Sequence, residues 1–443
     1  MNPNSAKPSV WARYRRECFL SAHQGSGQIP PFNTDPAELE RLAKERLSEG
    51  GWLYASSNAG LSETDAANRA AFRQWEIVPR MLVRESTNET RNTSTTIFGK
   101  KISAPIGFAP IGLNAIYNQG AERPVARVAG ELGLPYSLST AGSTSIEEVA
   151  KENVAGARKG VSNDLGAVDS EGIRFFQLYL PHNRKIAKSL LQRAAQSGYD
   201  AVLLTTDTWQ LAWRHHDVAN SNYAPYRGVG VDLGLSDPAF QEYCRDSLGF
   251  EVSQDPVRAS TVWIDECVWH GQSFGWEDAE WARDLWKELS GGKPFGIKGI
   301  QSVADAQKCV DHGFDAIVVT NHAGRQVDGA IGSLTALPDI VDAVGEKLTV
   351  MFDSGVRGGA DVFKALALGA KLVFVGRLWV YGLSIQGETG VRHVLRSLLA
   401  DFDILMNVAG FPNIKSIDRS ALQPAGQNKA LAAALTASAA SKL

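Results

Sequence analysis

One stretch of the sequence decides the fold: residues 315–326 read DAIVVTNHAGRQ. It begins with a short apolar run rich in β-branched residues, as expected of a strand that is buried on both faces. Polar residues and a glycine-containing turn follow this run directly. The stretch therefore predicts a strand of a parallel sheet with chemically useful side chains at its carboxyl end.

Seven further runs of this kind occur along the chain, separated by amphipathic helical stretches such as 184–197 and 303–312. The eight runs are 105–110, 135–140, 174–179, 201–206, 294–298, 315–320, 348–353 and 372–376. Alternating strands and helices are typical of a parallel sheet. Eight such units predict an α/β fold, a closed (β/α)8 TIM barrel with its active site at the carboxyl ends of the strands.

Three segments lie outside the minimal barrel, which we place at 104–410. We predict an N-terminal helical extension at 1–103 that packs on the barrel, with a helix starting at Asp35-Pro36. We predict a long lid insertion at 217–293, between strands four and five, that folds over the barrel mouth or makes subunit contacts. A C-terminal segment follows at 411–443, with a loose tail from about residue 426.

The composition narrows the class of protein. The chain has 443 residues, of which 44% are hydrophobic and 21% charged, so it can bury a large core. The net charge is −3, without long runs of either sign, and this disfavours nucleic acid as a partner. We expect no stable membrane insertion, because no apolar stretch reaches the length of a spanning helix. A small molecule is the expected ligand.

Metal and disulfide sites are not expected. The four cysteines lie far apart and form neither a CxxC pair nor a ladder with histidines, so we interpret them as reduced thiols. His215 and His216 are adjacent and would point in different directions, which favours a solvated loop over a metal site.

Polar residues end several of the predicted strands, and this is where a barrel places its chemistry. They are Gln177 and Tyr179, Thr205 and Asp207, Lys298, Asn321 and His322, and Asp353. A purely structural barrel would not require this set.

His322 is the leading candidate for a catalytic base. One reaction that a base and an arginine at a barrel mouth can serve is the oxidation of a 2-hydroxy acid. It needs a base for the hydroxyl proton, a cation for the carboxylate and an electron acceptor. A lone histidine at a strand end is more often structural, but Asp207 is a candidate to hold this imidazole and stabilise its protonated form. Arg214 offers a guanidinium for the carboxylate, although a surface salt bridge is the commoner role of a single arginine.

The turns after strands seven and eight predict an anion site. They present Gly355 with Arg357, and Gly376 with Arg377. The backbone amides and guanidiniums of these two loops are where barrels of this type bind phosphate. Two glycine turns, each with an arginine and each after the correct strand, are a strong signal.

Several motifs together resemble one family. They are Asn321-His322 through Arg325-Gln326, Asp353-Ser354-Gly355-Val356-Arg357, Gly376-Arg377, and Phe176-Gln177-Leu178-Tyr179. From about residue 36 to 410 the chain resembles the FMN-dependent 2-hydroxy acid oxidases and dehydrogenases. It is most similar to the lactate 2-monooxygenase branch, in Asp207-Thr208-Trp209 with Trp213-Arg214 and in Ala109-Pro110-Ile111-Gly112.

The resemblance implies FMN as cofactor and a role for each matching residue. His322 would be the base, with Asp207 as its partner, Arg214 and Arg325 as the carboxylate clamp, and Tyr54 and Tyr179 as hydroxyls of the substrate pocket. Residues matching the FMN contacts are Ala109, Pro110, Ile111, Ser139, Gln177, Thr205, Lys298, Asp353, Gly355, Arg357, Gly376 and Arg377. Among these, Lys298 would lie near N1 and O2 of the flavin.

The chain departs from the family pattern at three places. Gly358 follows Arg357 where many relatives have a second arginine, so one charge of the phosphate loop is missing. Asn58 stands where glycine is usual, and asparagine tolerates a left-handed backbone. Ala141 stands where plant-type glycolate oxidases carry a bulky aromatic residue, which indicates room for a substrate larger than glycolate.

Three functions remain open at this stage. The first is oxidation of a small, lactate-like (S)-2-hydroxy acid with O₂ as acceptor, which either releases the 2-oxo acid and peroxide or ends in oxidative decarboxylation. The second is a dehydrogenase that passes electrons to a membrane quinone. The third is a barrel retained as a scaffold, which the presence of His322, Arg325, Arg214 and Lys298 disfavours.

Two further expectations concern location and assembly. The last residues, Ser441, Lys442 and Leu443, match the signal for peroxisomal import, which implies an import receptor as partner. Without that signal we would expect a cytoplasmic protein. A homotetramer or larger oligomer is implied by the resemblance.

Overall fold

The computed structural model describes residues 9–24, 30–85, 91–163 and 169–426. Within these ranges eight parallel strands form a closed barrel. They are β1 (Ile106–Phe108), β2 (Tyr136–Ser139), β3 (Arg174–Leu178), β4 (Ala201–Thr205), β5 (Phe295–Ile300), β6 (Ala316–Val319), β7 (Thr349–Phe352) and β8 (Leu372–Val375). The barrel closes where Val373 of β8 pairs with Ile106 of β1. The predicted TIM barrel is confirmed, and each predicted run overlaps one strand, with β5 extending two residues beyond the predicted run 294–298.

An outer ring of helices surrounds the strands. The helices are α1 (Glu122–Glu131), α2 (Ile146–Ser162), α3 (Arg184–Gln196), α4 (Trp276–Ser290), α5 (Val303–Asp311), α6 (Ser333–Val344), α7 (Gly359–Ala367) and α8 (Arg377–Val408). Ser145, Asn183 and Ser302 begin three of them, and each side chain accepts a hydrogen bond from a backbone N–H of the first turn. Helix α8 bends at Gln386 and Gly387, whose backbone angles are not helical.

The amino-terminal end of the barrel is closed by an antiparallel hairpin of Thr95–Ile97 and Lys100–Ile102. Ile97 and Ile102 pack on the apolar side chains inside the barrel, which include Phe175, Met351 and Phe374. Because side chains fill this end, the opposite end, where the strands have their carboxyl termini, is left for ligands.

The N-terminal extension covers one side of the barrel. Its helices are Ala12–Gln24, Pro36–Arg46, Glu49–Ser56 and Glu63–Arg73. The predicted start at Asp35 is present, because its side chain accepts hydrogen bonds from the N–H groups of Ala37 and Glu38. The first two helices pack on α8.

The C-terminal segment returns to this extension. Short turns at Ile414–Ser416 and Arg419–Ala421 lead to the strand Leu422–Pro424, which pairs with Trp75–Ile77. The extension is therefore held in place by chain from the opposite end of the sequence. The predicted tail beyond residue 426 lies outside the described residues.

The insertion after β4 differs from the prediction at its second boundary. Its short helices are His215–Ala219, Ala224–Arg227, Asp232–Leu235, Pro238–Leu248, Pro256–Val262 and the π-helical turn Trp263–Val268. Residues 276–290, predicted as part of the lid, instead form α4 of the outer ring and pack on α3 and β5. The reason is visible in α4, where Ala279, Ala282 and Trp286 lie on one face and are buried.

The described residues bear on three expectations of the sequence, which concern membrane-spanning helices, metal sites and disulfide bonds. None of their helices is long and apolar enough to cross a bilayer. They contain no cluster of three potential metal ligands. All four cysteines are free thiols.

Candidate active site

A cavity opens at the carboxyl ends of the barrel strands, and its empty volume is about 1000 Å³ when the space open to solvent is included. Most of the residues predicted for the site line it. They are Tyr54, Ala109, Pro110, Ile111, Ser139, Tyr179, Arg214, Lys298, His322, Arg325, Asp353, Gly355, Arg357, Gly376 and Arg377. The fold thus brings together residues from the N-terminal extension, the barrel loops and the insertion.

His322 lies on a tight turn after β6. Three successive residues, His322, Ala323 and Gly324, have positive φ angles of 57°, 56° and 74°. Asn321 stabilises this turn, because its side-chain oxygen accepts a hydrogen bond from the N–H of Gly324 at 3.1 Å. A Cβ at Gly324 would lie 2.7 Å from the backbone nitrogen of Asp65, so glycine is required there. The turn directs the imidazole into the cavity.

The imidazole of His322 is held by Asp207. Its Nδ1 lies 2.7 Å from Oδ1 of Asp207 and 3.0 Å from Oγ1 of Thr208, and the Thr208 hydroxyl donates to the same carboxylate oxygen at 2.7 Å. A proton on Nδ1 satisfies the carboxylate, and this leaves Nε2 as the basic nitrogen. Among the described residues Nε2 has no hydrogen-bond partner. It is therefore available to a ligand.

Burial and charge act on this pair in opposite directions. Burial lowers the pKa of His322, while the Asp207 carboxylate raises it and Lys298 lowers it further. For Asp207, burial alone would raise the pKa, but the charge that His322 carries when protonated, the charge of Lys298 and the hydrogen bonds from His322 and Thr208 hold it below its usual value. Asp207 therefore stays ionised and His322 is neutral at physiological pH, as a base must be.

Lys298 lies two residues before the end of β5, lines the cavity and is 4% exposed. Its Nζ lies 3.7 Å from Oδ2 of Asp207 and 3.4 Å from Nδ1 of His322. A buried ammonium needs a partner of opposite charge, which Asp207 supplies.

Two guanidiniums, those of Arg214 and Arg325, lie beside the base. Arg214 is buried, and its Nε and Nη2 both donate to the backbone oxygen of Arg325 at 3.2 Å. The Nη1 of Arg325 donates to the backbone oxygen of Ser57 at 2.6 Å. Neither guanidinium forms an ion pair with a carboxylate of the described residues. Burial and the charge of Arg325 lower the pKa of Arg214 to about 10. The pair is an unneutralised positive site that fits an anion.

Two tyrosines complete the wall. Tyr54 comes from the helix Glu49–Ser56, and the guanidinium of Arg325 lies 5.0 Å from its ring centre. Tyr179 follows β3, and its ring meets Trp269 of the insertion edge-on at 6.2 Å. Burial and the nearby Asp207 carboxylate raise the pKa of Tyr179, so its hydroxyl keeps its proton.

The predicted anion loops follow β7 and β8 and also line the cavity. Arg377 is anchored to the extension, where its Nε donates to the Ala55 backbone oxygen at 3.1 Å and its Nη2 donates to Asn58 Oδ1 at 2.6 Å. Arg357 is fixed through its backbone, whose N–H donates to the Asp361 carboxylate at 2.8 Å. A Cβ at Gly376 would point toward Ile111 and Ala109 of the cavity wall, at 3.4 and 3.7 Å. Because Gly376 has no side chain, the space between it and these two wall residues stays open.

Three predicted residues lie behind the cavity wall. Asp207 acts through His322, as described above. Gln177 donates through Nε2 to Thr205 Oγ1 at 2.8 Å, and its Oε1 accepts from the Thr140 N–H at 3.3 Å. Both side chains are buried. They support the floor between Lys298 and Ser139.

The structure adds residues that were not among the predicted site residues. Tyr117, Thr208, Leu211, Trp269, Val356 and Phe374 also line the cavity. Thr208 follows Asp207 directly, so its position next to the carboxylate could have identified it. Trp269 lies in the insertion, where the sequence carries no periodic pattern that indicates which tryptophan faces the cavity.

These residues fit FMN. The lining of the cavity includes two arginines and two glycine turns, which suit a phosphate, and also the buried Lys298 and Ser139. Oδ2 of Asp207 is buried without a hydrogen-bond partner among the described residues, and Nζ of Lys298 lies 3.7 Å from it. Arg357, Arg377 and the two loops would hold the phosphate, and Lys298 would lie against the ring.

Known proteins agree with this assignment. Residues 43–424 match the model of the family "FMN-dependent dehydrogenase". The chain is 41% identical over 403 residues to the FMN-dependent alpha-hydroxy acid dehydrogenase qulF of Penicillium citrinum, covering 90% of this chain and 94% of that protein. It is 35% identical to an L-lactate oxidase of Lysinibacillus sphaericus, covering 87% and 92%.

Solved structures give the same result. A mutant of the active chimera of (S)-mandelate dehydrogenase superposes with a TM-score of 0.73 at 31% identity, covering 88% of this chain and 99% of that one. The family predicted from the sequence is confirmed, whereas the lactate 2-monooxygenase branch stays a prediction. The chain belongs to the family of FMN-dependent dehydrogenases, as an oxidoreductase of the α-hydroxy acid type with FMN as its cofactor.

Proposed function

We propose that this enzyme oxidises a small (S)-2-hydroxy acid, of about the size of lactate, to its 2-oxo acid with O₂ as the electron acceptor. One observation carries the proposal. The two guanidiniums of Arg214 and Arg325, which pair with no carboxylate of the described residues, lie beside a neutral histidine whose Nε2 is free. This arrangement suits a molecule with a carboxylate next to a hydroxyl.

The residues divide the work of the reaction. Arg214 and Arg325 bind the carboxylate, and the hydroxyls of Tyr54 and Tyr179 are donors for the remaining oxygens. His322 takes the hydroxyl proton on Nε2, and Asp207 stabilises the imidazolium that results. FMN, when bound, accepts the α-hydrogen with its electron pair. The substrate thereby loses one proton and one hydride and becomes the 2-oxo acid.

The wall near the base supports a small aliphatic side chain. Ala141 is buried and contributes only a methyl group to the cavity, while Leu211, Tyr117 and Trp269 supply apolar surface. The relatives named above include a lactate oxidase as well as dehydrogenases, so their names do not fix the substrate.

The fate of the product depends on how tightly the site encloses it. A Cβ at Gly112 would lie 2.8 Å from both the Cβ and the carbonyl oxygen of Ala141, so this loop packs directly on the glycine. Such a closed wall favours retention of the 2-oxo acid beside newly formed peroxide, which leads to oxidative decarboxylation as in lactate 2-monooxygenases. Release of the 2-oxo acid and peroxide is the alternative outcome.

A quinone-linked dehydrogenase is the second candidate. The observation that favours it is a set of exposed aromatic side chains on the loop after β4 and on the insertion that follows it, namely Trp209, Trp213 and Tyr226, with exposures of 37%, 63% and 50%. An apolar surface beside the mouth could contact a membrane acceptor.

Anaerobic mixing of the FMN-bound enzyme with (S)-lactate and longer (S)-2-hydroxy acids, followed by air and product analysis, distinguishes these functions. Bleaching of the flavin followed by acetate and CO₂ from lactate would support oxidative decarboxylation. Pyruvate with peroxide would support an oxidase, and bleached flavin that persists in air would support the dehydrogenase. The His322→Ala variant is the control, which we expect to bind FMN and not bleach. No bleaching of the wild type by any acid would contradict the proposal.

We also propose that Ser441, Lys442 and Leu443, which lie outside the described residues, direct the enzyme to peroxisomes. A fluorescent protein fused at the N-terminus should colocalise with a peroxisomal marker and become diffuse when these three residues are removed. We further propose a homotetramer or larger, which light scattering of the purified enzyme would test. A monomer would contradict it.

A further inference from the structure

The side-chain amide of Gln326 joins the two loops that carry the site. Its Nε2 donates to the backbone oxygens of Asp207 and Gln210, at 3.0 and 2.8 Å. Its Oε1 accepts from the N–H of Ala212 at 3.4 Å and from Nη2 of Arg214 at 3.3 Å. All four partners lie in the loop 207–214 that follows β4, whereas Gln326 itself belongs to the loop after β6.

These four bonds use the whole capacity of the amide. A glutamine side chain has two N–H donors and one oxygen with two lone pairs. A carboxylate in its place would have no donor for the two backbone oxygens, and an apolar side chain would have neither donor nor acceptor. The position is therefore matched to a neutral amide.

The hydrogen bond to Gln326 also helps to orient the guanidinium of Arg214. Its Nε and one N–H of Nη2 are bound to the backbone oxygen of Arg325, and the other N–H of Nη2 is bound to Gln326. Among the described residues Nη1 has no acceptor, and Arg214 lines the cavity. The hydrogen bonds to Arg325 and Gln326 thus fix the orientation of the guanidinium, and its two Nη1 protons remain for the ligand.

We infer that Gln326 is a positioning residue of the carboxylate clamp. It holds Arg214 in its binding orientation without neutralising its charge, and it ties the Asp207 backbone to the loop of His322. A negative charge at position 326 would pair with Arg214 and compete with the substrate carboxylate. The inference rests on the proposed function, because it takes the ligand to be a 2-hydroxy acid.

Gln326→Glu is the decisive variant, and Gln272→Glu is its matched control. Gln272 has an exposed side chain and is not among the hydrogen-bond partners of Gln326 or Arg214, so this control introduces the same charge away from the clamp. The FMN-bound proteins are titrated with oxalate, a carboxylate with no α-hydrogen to give up, using tryptophan fluorescence. We expect Gln326→Glu to bind oxalate at least about tenfold more weakly, with a similar rise in KM for (S)-lactate and a smaller change in kcat. The control should behave as wild type. Wild-type affinity for oxalate in Gln326→Glu would overturn the inference.

Gln326→Met covers the case in which the glutamate variant does not fold, as judged by its melting temperature and FMN content. Methionine has a similar length and no hydrogen bonds to offer. We expect it to raise KM and also to lower kcat, since both loops lose their connection. Unchanged KM and kcat would overturn the inference as well. If the wild type binds oxalate but oxidises no 2-hydroxy acid, the proposed function fails, while weaker oxalate binding by Gln326→Glu would still support the role of Gln326.

Discussion

The Nζ of Lys298 lies 3.7 Å from Oδ2 of Asp207, on the side of the carboxylate that His322 does not use. Lys298 and His322 therefore share one carboxylate. Burial lowers the pKa of His322, Asp207 raises it, and Lys298 lowers it. Two neighbours of opposite charge therefore shift the pKa of the base in opposite directions, and each neighbour can be removed separately.

Replacing Lys298 by methionine should move the acidic limb of the pH profile of kcat/KM to higher pH. His322 works in its unprotonated form, so activity rises as pH increases through its pKa. Lys298 disfavours the imidazolium, and its removal therefore raises that pKa. Lys298→Arg keeps the charge and should leave the limb nearly in place. A shift of the methionine variant to lower pH would show that the lysine does not act on the base in this way.

Replacing Asp207 by asparagine should move the acidic limb of the pH profile of kcat/KM in the opposite direction, to lower pH. Asp207 favours the imidazolium, so without its charge the pKa of His322 falls and the acidic limb moves to lower pH. The same change removes the stabilisation of the protonated base, and kcat should fall by about 10²–10⁴-fold. Steady-state kinetics across pH, on protein with verified FMN content, measures both effects. A kcat close to that of the wild type would remove Asp207 from the mechanism.

Replacing Arg214 by methionine should weaken binding of the acid more than it slows the reaction. The guanidinium faces the cavity and has no carboxylate partner among the described residues, so its loss removes a charge-assisted bond to the substrate. We expect KM to rise at least about tenfold. Arg227→Met is the control, because Arg227 is an exposed arginine of the insertion that follows the loop of Arg214. An unchanged KM in Arg214→Met would exclude this residue from the clamp.

Replacing Ala141 by phenylalanine should narrow the choice of substrate. Ala141 is 1% exposed and lines the cavity near Gly112, so a ring at this position would occupy space that a substrate side chain needs. We expect kcat/KM for longer 2-hydroxy acids to fall relative to that for glycolate. Ala141→Ser, which is close in size, is the control. Equal losses for all acids would indicate general damage rather than selection by size.

Much of the fold could be predicted from the sequence, because buried parallel strands require continuous apolar runs. Each of the eight runs overlaps a strand, and residues at or just beyond the ends of these runs, such as Lys298 and His322, line one cavity. The second boundary of the lid could not be placed, since Trp276–Ser290 resembles the rest of the insertion in its tryptophan content. Only its packing on α3 shows that it belongs to the ring.

The parts of the site that escaped prediction depend on contacts between distant loops. Gln326 was visible as part of a motif, but its four bonds to the loop after β4 join residues more than a hundred positions apart in sequence, for example 119 for Asp207. Trp269 reaches the cavity through the irregular path of the insertion. The positions of Gln177 and Thr205 behind the wall follow from side-chain packing, which strand patterns do not report.

The helix that carries Tyr54 has a further consequence for how the protein reaches its native state. Arg377, which is bonded to the Ala55 backbone oxygen, lies 322 residues later in the sequence, and Asn222, which is bonded to the Gly50 oxygen, lies 172 residues later. Contacts of such high contact order form slowly, because a long loop must close before they contribute. The individual βα units depend on more local pairings. The substrate pocket is therefore expected to assemble late in folding, after most of the barrel has acquired its secondary structure.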